Sequence, residues 1–189
     1  MKLGFIGGGP ISQFHIPVIN NNGFKIEAIG SRPYSKRCLD FARSYNLENQ
    51  YCERGWEQVL SRDIDVISIC IETNSTKEVL LKSLDKNRPI FVEKPICSSL
   101  ENFYDLLNHE NSKNIFVGYN RRFYKTTNML KELCDKSPGG TIYLNMPESD
   151  YGIKQFINNG CHMIDTLRYV IGDFKVKSSL NKFDHKKNE

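Results

Sequence analysis

Four short stretches of the chain combine residue types that can do chemistry. The first is Gly7-Gly8-Gly9-Pro10-Ile11-Ser12, close to the amino terminus. Gly7, Gly9 and Ser12 fall at the spacing G-x-G-x-x-small. The first glycine of such a set makes a tight turn. The second lets backbone N–H groups approach a pyrophosphate, and the third position must be small so that helix and strand pack closely. A helix opening just after the loop presents its positive end to the phosphates. Pro10 and Ile11 complete the loop and join Gly7 and Gly9 as candidate cofactor contacts. The competing reading is a glycine turn that holds no ligand.

The second stretch is Ser31-Arg32, with Lys36 and Arg37 about one turn further on. In a dinucleotide-binding βαβ unit this is where a carboxylate meets the ribose hydroxyls of NAD. A carboxylate repels a 2′-phosphate, whereas arginine grips one bidentately. Ser31 and Arg32 therefore favour NADP(H) over NAD(H). The alternative is a turn at Ser31 with Arg32 in solvent.

The third stretch is Glu93-Lys94-Pro95, after the apolar run at residues 90–92. In an open α/β sheet, ligands bind outside the carboxyl ends of the strands. A lysine at that edge can donate to a substrate hydroxyl or carbonyl oxygen and exchange a proton with it. Taken alone, one lysine before a proline is more often structural. The fourth stretch runs from Asn158 to Asp165 and contains His162. His162 and Asp165 are three apart and share a helical face. Asp165 can orient the imidazole, and His162 can exchange a proton near neutral pH.

The elements that must position these residues follow from periodicity. Apolar runs at residues 3–6, 24–29, 66–71, 90–92 and 115–117 predict strands, several of them apolar at consecutive positions. Parallel strands buried on both faces show that pattern. Amphipathic segments near 11–21, 34–45, 76–86 and 99–109 predict the intervening helices, the last capped by Ser98 or Ser99 with Glu101 in its first turn. The alternation predicts α/β architecture with a Rossmann-type, doubly wound parallel sheet over residues 1–118. A reduced α/β second domain is expected over 119–173. It contains a helix near 123–135, a break at 137–140, a short strand at 141–146 and a helix ending near Gly172.

Composition narrows the class. The 189 residues are 39% hydrophobic and 25% charged, as in ordinary globular proteins. No run approaches the length of a membrane span, and the opening segment does not read as a signal peptide. Residues 174–189 form a basic polar tail with five lysines against one aspartate and one glutamate. That segment accounts for most of the net charge of +4. The remainder has no basic face or stripe, so a nucleic-acid partner is not expected. Six cysteines at 38, 52, 70, 97, 134 and 161 include no C-x-x-C pair. A zinc site is therefore not expected, and the set suits a reducing cytoplasm.

Taken together and in order, these stretches resemble the Gfo/Idh/MocA oxidoreductases. The resemblance rests on GFIGGGPISQFHIP, SRPYSKRCLDFA, DIDVISICIETNS, FVEKPICSSLENFYDLL, GYNRRF and GCHMIDTLRYVIGD. It implies a Rossmann domain followed by a domain with an open, mostly antiparallel sheet. It also implies hydride transfer between a nicotinamide cofactor and a hydroxyl or carbonyl of a sugar, nucleotide sugar or cyclitol. By the same resemblance, Lys94 contacts the reacting oxygen and His162 is the catalytic-site histidine. Glu93 joins the cofactor contacts, and Pro95 matches a proline often preceded by a cis bond. Arg122 and Asn158 fall in the substrate region, Arg121 and Arg122 bracing the site or binding an anionic substrate.

Asn158 departs from the pattern, because many dehydrogenases of the family place an aspartate four residues before the histidine. Glu72 and Thr76 stand where relatives often have proline and histidine. Relatives usually extend well over a hundred residues beyond the helix near Gly172, so the second domain is expected to be partial. A homo-oligomer is compatible with the resemblance. The alternative function is a non-catalytic NADP(H)-binding module lacking a complete substrate domain.

Overall fold

A computed structural model describes residues 1–137, 139–145 and 156–179. The chain divides into two compact units, Met1–Gly118 and Tyr119–Glu189.

The first unit is built on five parallel strands, β1 (Lys2–Gly7), β2 (Lys25–Gly30), β3 (Val66–Cys70), β4 (Ile90–Val92) and β5 (Ile115–Val117). Their spatial order is β2-β1-β3-β4-β5. Residues along β1 alternate between two apolar cores. Leu3 and Phe5 join Ile16, Ile26, Cys38 and Ala42 on one face of the sheet. Ile6 joins Val59, Ile67, Ile69, Leu80, Ile90 and Leu106 on the other. The two-residue side-chain period thus gives the central strands two buried faces, while Phe116 on the edge strand β5 is 60% exposed.

Helices α1 (Ser12–Asn21) and α2 (Lys36–Ser44) cover the first face. Helices α3 (Trp56–Leu60), α4 (Thr73–Leu84) and α5 (Leu100–Leu107) cover the second. Ser35 caps α2 by accepting from the Cys38 N–H, and Ser99 caps α5 by accepting from the Asn102 N–H. Helix α3 was not expected from the periodicity. Its five residues are too few to show a 3.6-residue repeat.

In the second unit, α6 (Lys125–Asp135) packs on α7 (Cys161–Ile171). A π-helical turn at Phe156–Gly160 leads into α7, and Gly172, at φ 80°, ends it. The strand expected at 141–146 is not observed: residues 141–145 carry no strand, and Met146 lies outside the described residues. Among the described residues of this unit that β-rich run has no strand to pair with, and propensity without a partner does not make a strand. Pro138 in the expected break and residues 180–189 of the basic tail also lie outside the described residues.

Candidate active site

The parallel register gathers three of the four stretches at one edge of the first unit. Gly7 pairs with Cys70, and Ile6 with Gly30, so the glycine loop and Ser31 leave adjacent strands at the same level. The Glu93 N–H donates to the Ile69 carbonyl at 2.9 Å, which carries β4 to that edge as well. A cleft of about 660 Å³ opens there. It is lined by Gly7, Gly8, Gly9, Pro10 and Ile11 from the loop, and by Ser31, Arg32, Ser35 and Arg37 from the end of β2 and the start of α2. Cys70, Glu72, Glu93 and Lys94 line it from the ends of β3 and β4. Lys36 is exposed and does not line the cleft. Of the basic residues beyond Arg32, the helical turn brings Arg37 inward.

The loop geometry explains its glycines. Gly7 has φ 147°, and a Cβ there would lie 2.3 Å from the Cys70 carbonyl oxygen. No side chain fits that turn. Gly9 has nothing within 4 Å of its Cβ position, so the backbone faces open space at the cleft. Helix α1 begins beside it with no side-chain cap and no acidic residue in its first turn. Its positive end is therefore left for an anion to neutralise. The residues present thus fit a dinucleotide pyrophosphate. Ser12, at the third small position, is fully buried, and its Oγ has no hydrogen-bond partner among the described residues.

Two cleft residues, Glu93 and Cys70, face a common partner on α1. His15, on α1, meets Glu93 with Nε2 2.9 Å from Oε1. Its ring also lies against Phe91, centroids 5.6 Å apart. The Cys70 sulfur and the Glu93 carboxylate favour the charged imidazole over the opposing effect of burial. They push its pKa from 6.5 up to about 9. Burial alone would raise the Glu93 carboxyl, but the hydrogen bond and charge of His15 win and hold it below its usual value. The Lys94–Pro95 peptide is cis. The sequence signal for His15 was its place three residues after Ser12, on the helix face turned to the sheet.

In the second unit, His162 is buried and its ring meets Tyr119 edge-on at 6.4 Å between centroids. Asp165 is only 8% exposed and accepts a bidentate pair from Arg122. The Arg122 Nε lies 2.9 Å from one carboxylate oxygen and 3.1 Å from the other, and a terminal guanidinium nitrogen makes a further contact. The guanidinium also lies over Tyr119 and Tyr169. This corrects the pairing of Asp165 with His162 suggested by their spacing. An arginine fork satisfies both carboxylate oxygens, which one imidazole N–H cannot do. Arg122 has the geometry of a brace. Asn158 lies in the π-helical turn, and its carbonyl accepts from the Cys161 thiol. Among the described residues, no group of three or more His, Cys, Asp or Glu is placed to hold a metal ion.

Fold and cleft together define a dinucleotide-binding α/β protein. Residues 1–120 match the family model described as "Oxidoreductase family, NAD-binding Rossmann fold", of the Gfo/Idh/MocA type. The chain belongs to this family. It is 28% identical over 186 residues to an uncharacterized oxidoreductase, YrbE, of Bacillus subtilis, covering 89% of this chain and 53% of that protein. It is 23% identical to the myo-inositol 2-dehydrogenase of Thermotoga maritima, covering 92% of this chain and 55% of that one. Among solved structures it is similar to the myo-inositol dehydrogenase from Lactobacillus casei in complex with NAD(H) and myo-inositol. The TM-score is 0.76 and the identity 25%, over 90% of this chain and 54% of that one. The chain spans about half the length of the curated relatives it matches. No helix among the described residues is long and apolar enough to cross a membrane.

Proposed function

We propose that the chain takes part in NADP(H)-dependent hydride transfer to or from a hydroxyl or carbonyl of a sugar, nucleotide sugar or cyclitol. The observation that carries this reading is the cleft itself, which joins the glycine loop to Lys94 in one cavity. The backbone of Gly7, Gly9, Pro10 and Ile11 and the open end of α1 would hold the pyrophosphate. The end of β2 supplies Ser31, Arg32, Ser35 and Arg37 to the lining and no carboxylate, which supports a 2′-phosphate over free ribose hydroxyls. The nicotinamide supplies the hydride when bound. Lys94 donates to the reacting oxygen, His162 assists proton exchange, Arg122 braces the substrate region, and Asn158 contacts substrate without serving as a base. The relatives named as inositol dehydrogenases support a polyol-like substrate. A site in the cytoplasm and assembly into a homo-oligomer accord with the same reading.

Titration of the purified chain with NADPH and NADH, followed by nicotinamide fluorescence, tests it. NADPH is expected to bind more tightly. Arg32→Asp should reverse the order by about tenfold or more, the worth of a charge-assisted contact. Equal affinities in the unaltered chain would remove the NADP(H) preference, and no binding of either at millimolar concentration would end the reading.

One observation favours a second reading, binding without turnover: Asn158 stands where many relatives of the family carry a carboxylate. It predicts NADPH binding with no oxidation of any polyol. A dehydrogenase activity abolished by Lys94→Ala would exclude it.

A further inference from the structure

We propose that His15 is a positioning residue that locks the helix receiving the cofactor phosphates to the loop carrying Lys94. This rests on the reading of the cleft given above. His15 sits one turn into α1, on the face turned to the sheet, and Glu93 leaves β4 directly opposite. One oxygen of Glu93 meets the imidazole Nε2 at 2.9 Å. The other accepts from the main-chain N–H of Lys94 at 3.3 Å. A single carboxylate therefore ties α1 to the backbone of the lysine.

The surroundings make this a defined seat. Phe91, two residues before Glu93 on the same face of β4, packs against the imidazole ring. Cys70, at the end of β3 between the two strands, faces it as well. His15 and Glu93 side chains are each about one-fifth exposed, so water competes weakly for the pair. Charge-assisted bonds of this kind are the short and strong ones. An imidazolium here favours the ionised carboxylate, whose remaining oxygen then accepts from Lys94. Without it, Glu93 faces the cleft with one acceptor unanswered, and the loop is free to take other settings.

The titratable and charged groups that bear on this seat are Cys70 from β3, and Glu93 and Lys94 from the end of β4. The test follows them on the whole chain by NMR between pH 6 and 10. The expected result is that the Lys94 backbone amide shifts with the same midpoint as the His15 ring, near pH 9. That shift should persist in Cys70→Ser and vanish in both His15→Ala and His15→Gln. In Glu93→Gln the His15 midpoint should fall, because the charged hydrogen-bond partner is lost. A Lys94 amide indifferent to His15 ionisation overturns the proposal, as does an unchanged midpoint in Glu93→Gln.

A second measurement separates positioning from folding alone. His15→Ala should bind NADPH about tenfold more weakly, the size of one lost bond to a charged group. His15→Gln keeps an N–H for Glu93 and should stay within about twofold of the unaltered chain by the same arithmetic. Equal weakening in both variants would overturn the clamp. If the unaltered chain binds no nicotinamide nucleotide while Lys94 still follows His15, the functional reading fails and the clamp stands. If it binds NADPH while Lys94 ignores His15, the clamp alone fails.

Discussion

The two units are held together by different forces. In Met1–Gly118 the sheet is sandwiched between two apolar cores, and most of their members are almost wholly buried. In the described part of Tyr119–Glu189, the buried residues include Thr127, His162 and Asp165, and Val170 is the buried aliphatic side chain. Met129, Leu133, Ile164 and Ile171 are exposed there. Polar contacts stand where a core would be: the Arg122–Asp165 fork, and the Tyr169 hydroxyl donating to Asn128 at 2.8 Å. Hydrophobic burial is non-directional and scales with area. A unit stabilised that way tolerates surface change, whereas one held by a few directed contacts depends on each of them.

The contrast can be broken most sharply in the core of the first unit. Ile69→Ala removes a fully buried side chain at the centre of the sheet, and should cost about 4 kcal/mol in chemical denaturation. Leu133→Ala, at a position 63% exposed, should stay within about 0.5 kcal/mol. Comparable losses at both positions would refute the division.

Next in size is a pH effect confined to the first unit. His15 has a folded pKa raised to about 9 from 6.5, so its contribution is complete below pH 6.5 and is lost as pH rises through 9. That rise is worth at most about 3 kcal/mol. Alkaline destabilisation over this window should therefore be absent in His15→Gln. On the acid side, Glu93 is held below its usual value and gives up its share as pH falls through that lowered pKa. Stability curves that superimpose for both proteins between pH 6.5 and 9.5 would contradict this.

Asp165→Asn should act locally. It removes the charge that Arg122 grips, and because Arg122 is 42% exposed, the cost should be about 2 kcal/mol, less than for a fully buried pair. Hydrogen exchange is expected to speed up in α6 and α7 while the β-strand amides of the first unit keep their protection. Uniform acceleration through both units would show that they unfold as one. The smallest effect is a gain. Ser12→Ala deletes a buried hydroxyl with no partner among the described residues and should raise stability by up to about 1 kcal/mol. A clear loss would mean that the hydroxyl has a partner after all.

The sequence by itself determined the strand and helix alternation, the parallel α/β class and the glycine loop. Each of these rests on local information. A two-residue or 3.6-residue apolar period is written along the chain, and so is a glycine where φ must be positive. The strands were legible to within about a residue because each is a short, largely apolar run bounded by turn residues, as strands packed on both faces require at the centre of the sheet. Arg32, just beyond β2, lines the cleft as its place in the chain led one to expect.

Tertiary structure decided which side chains meet. Asp165 shares a helix face with His162, yet it faces Arg122, 43 residues earlier. His15 and Glu93 are 78 residues apart and carry no common motif. They become neighbours because parallel pairing sets β4 beside β3, next to β1, with α1 crossing that face. The strand expected at 141–146 is not formed over its described residues, 141–145. Period and propensity belong to single segments, whereas pairing, ion forks and shifted pKa values belong to segments brought together. Those are set by the fold.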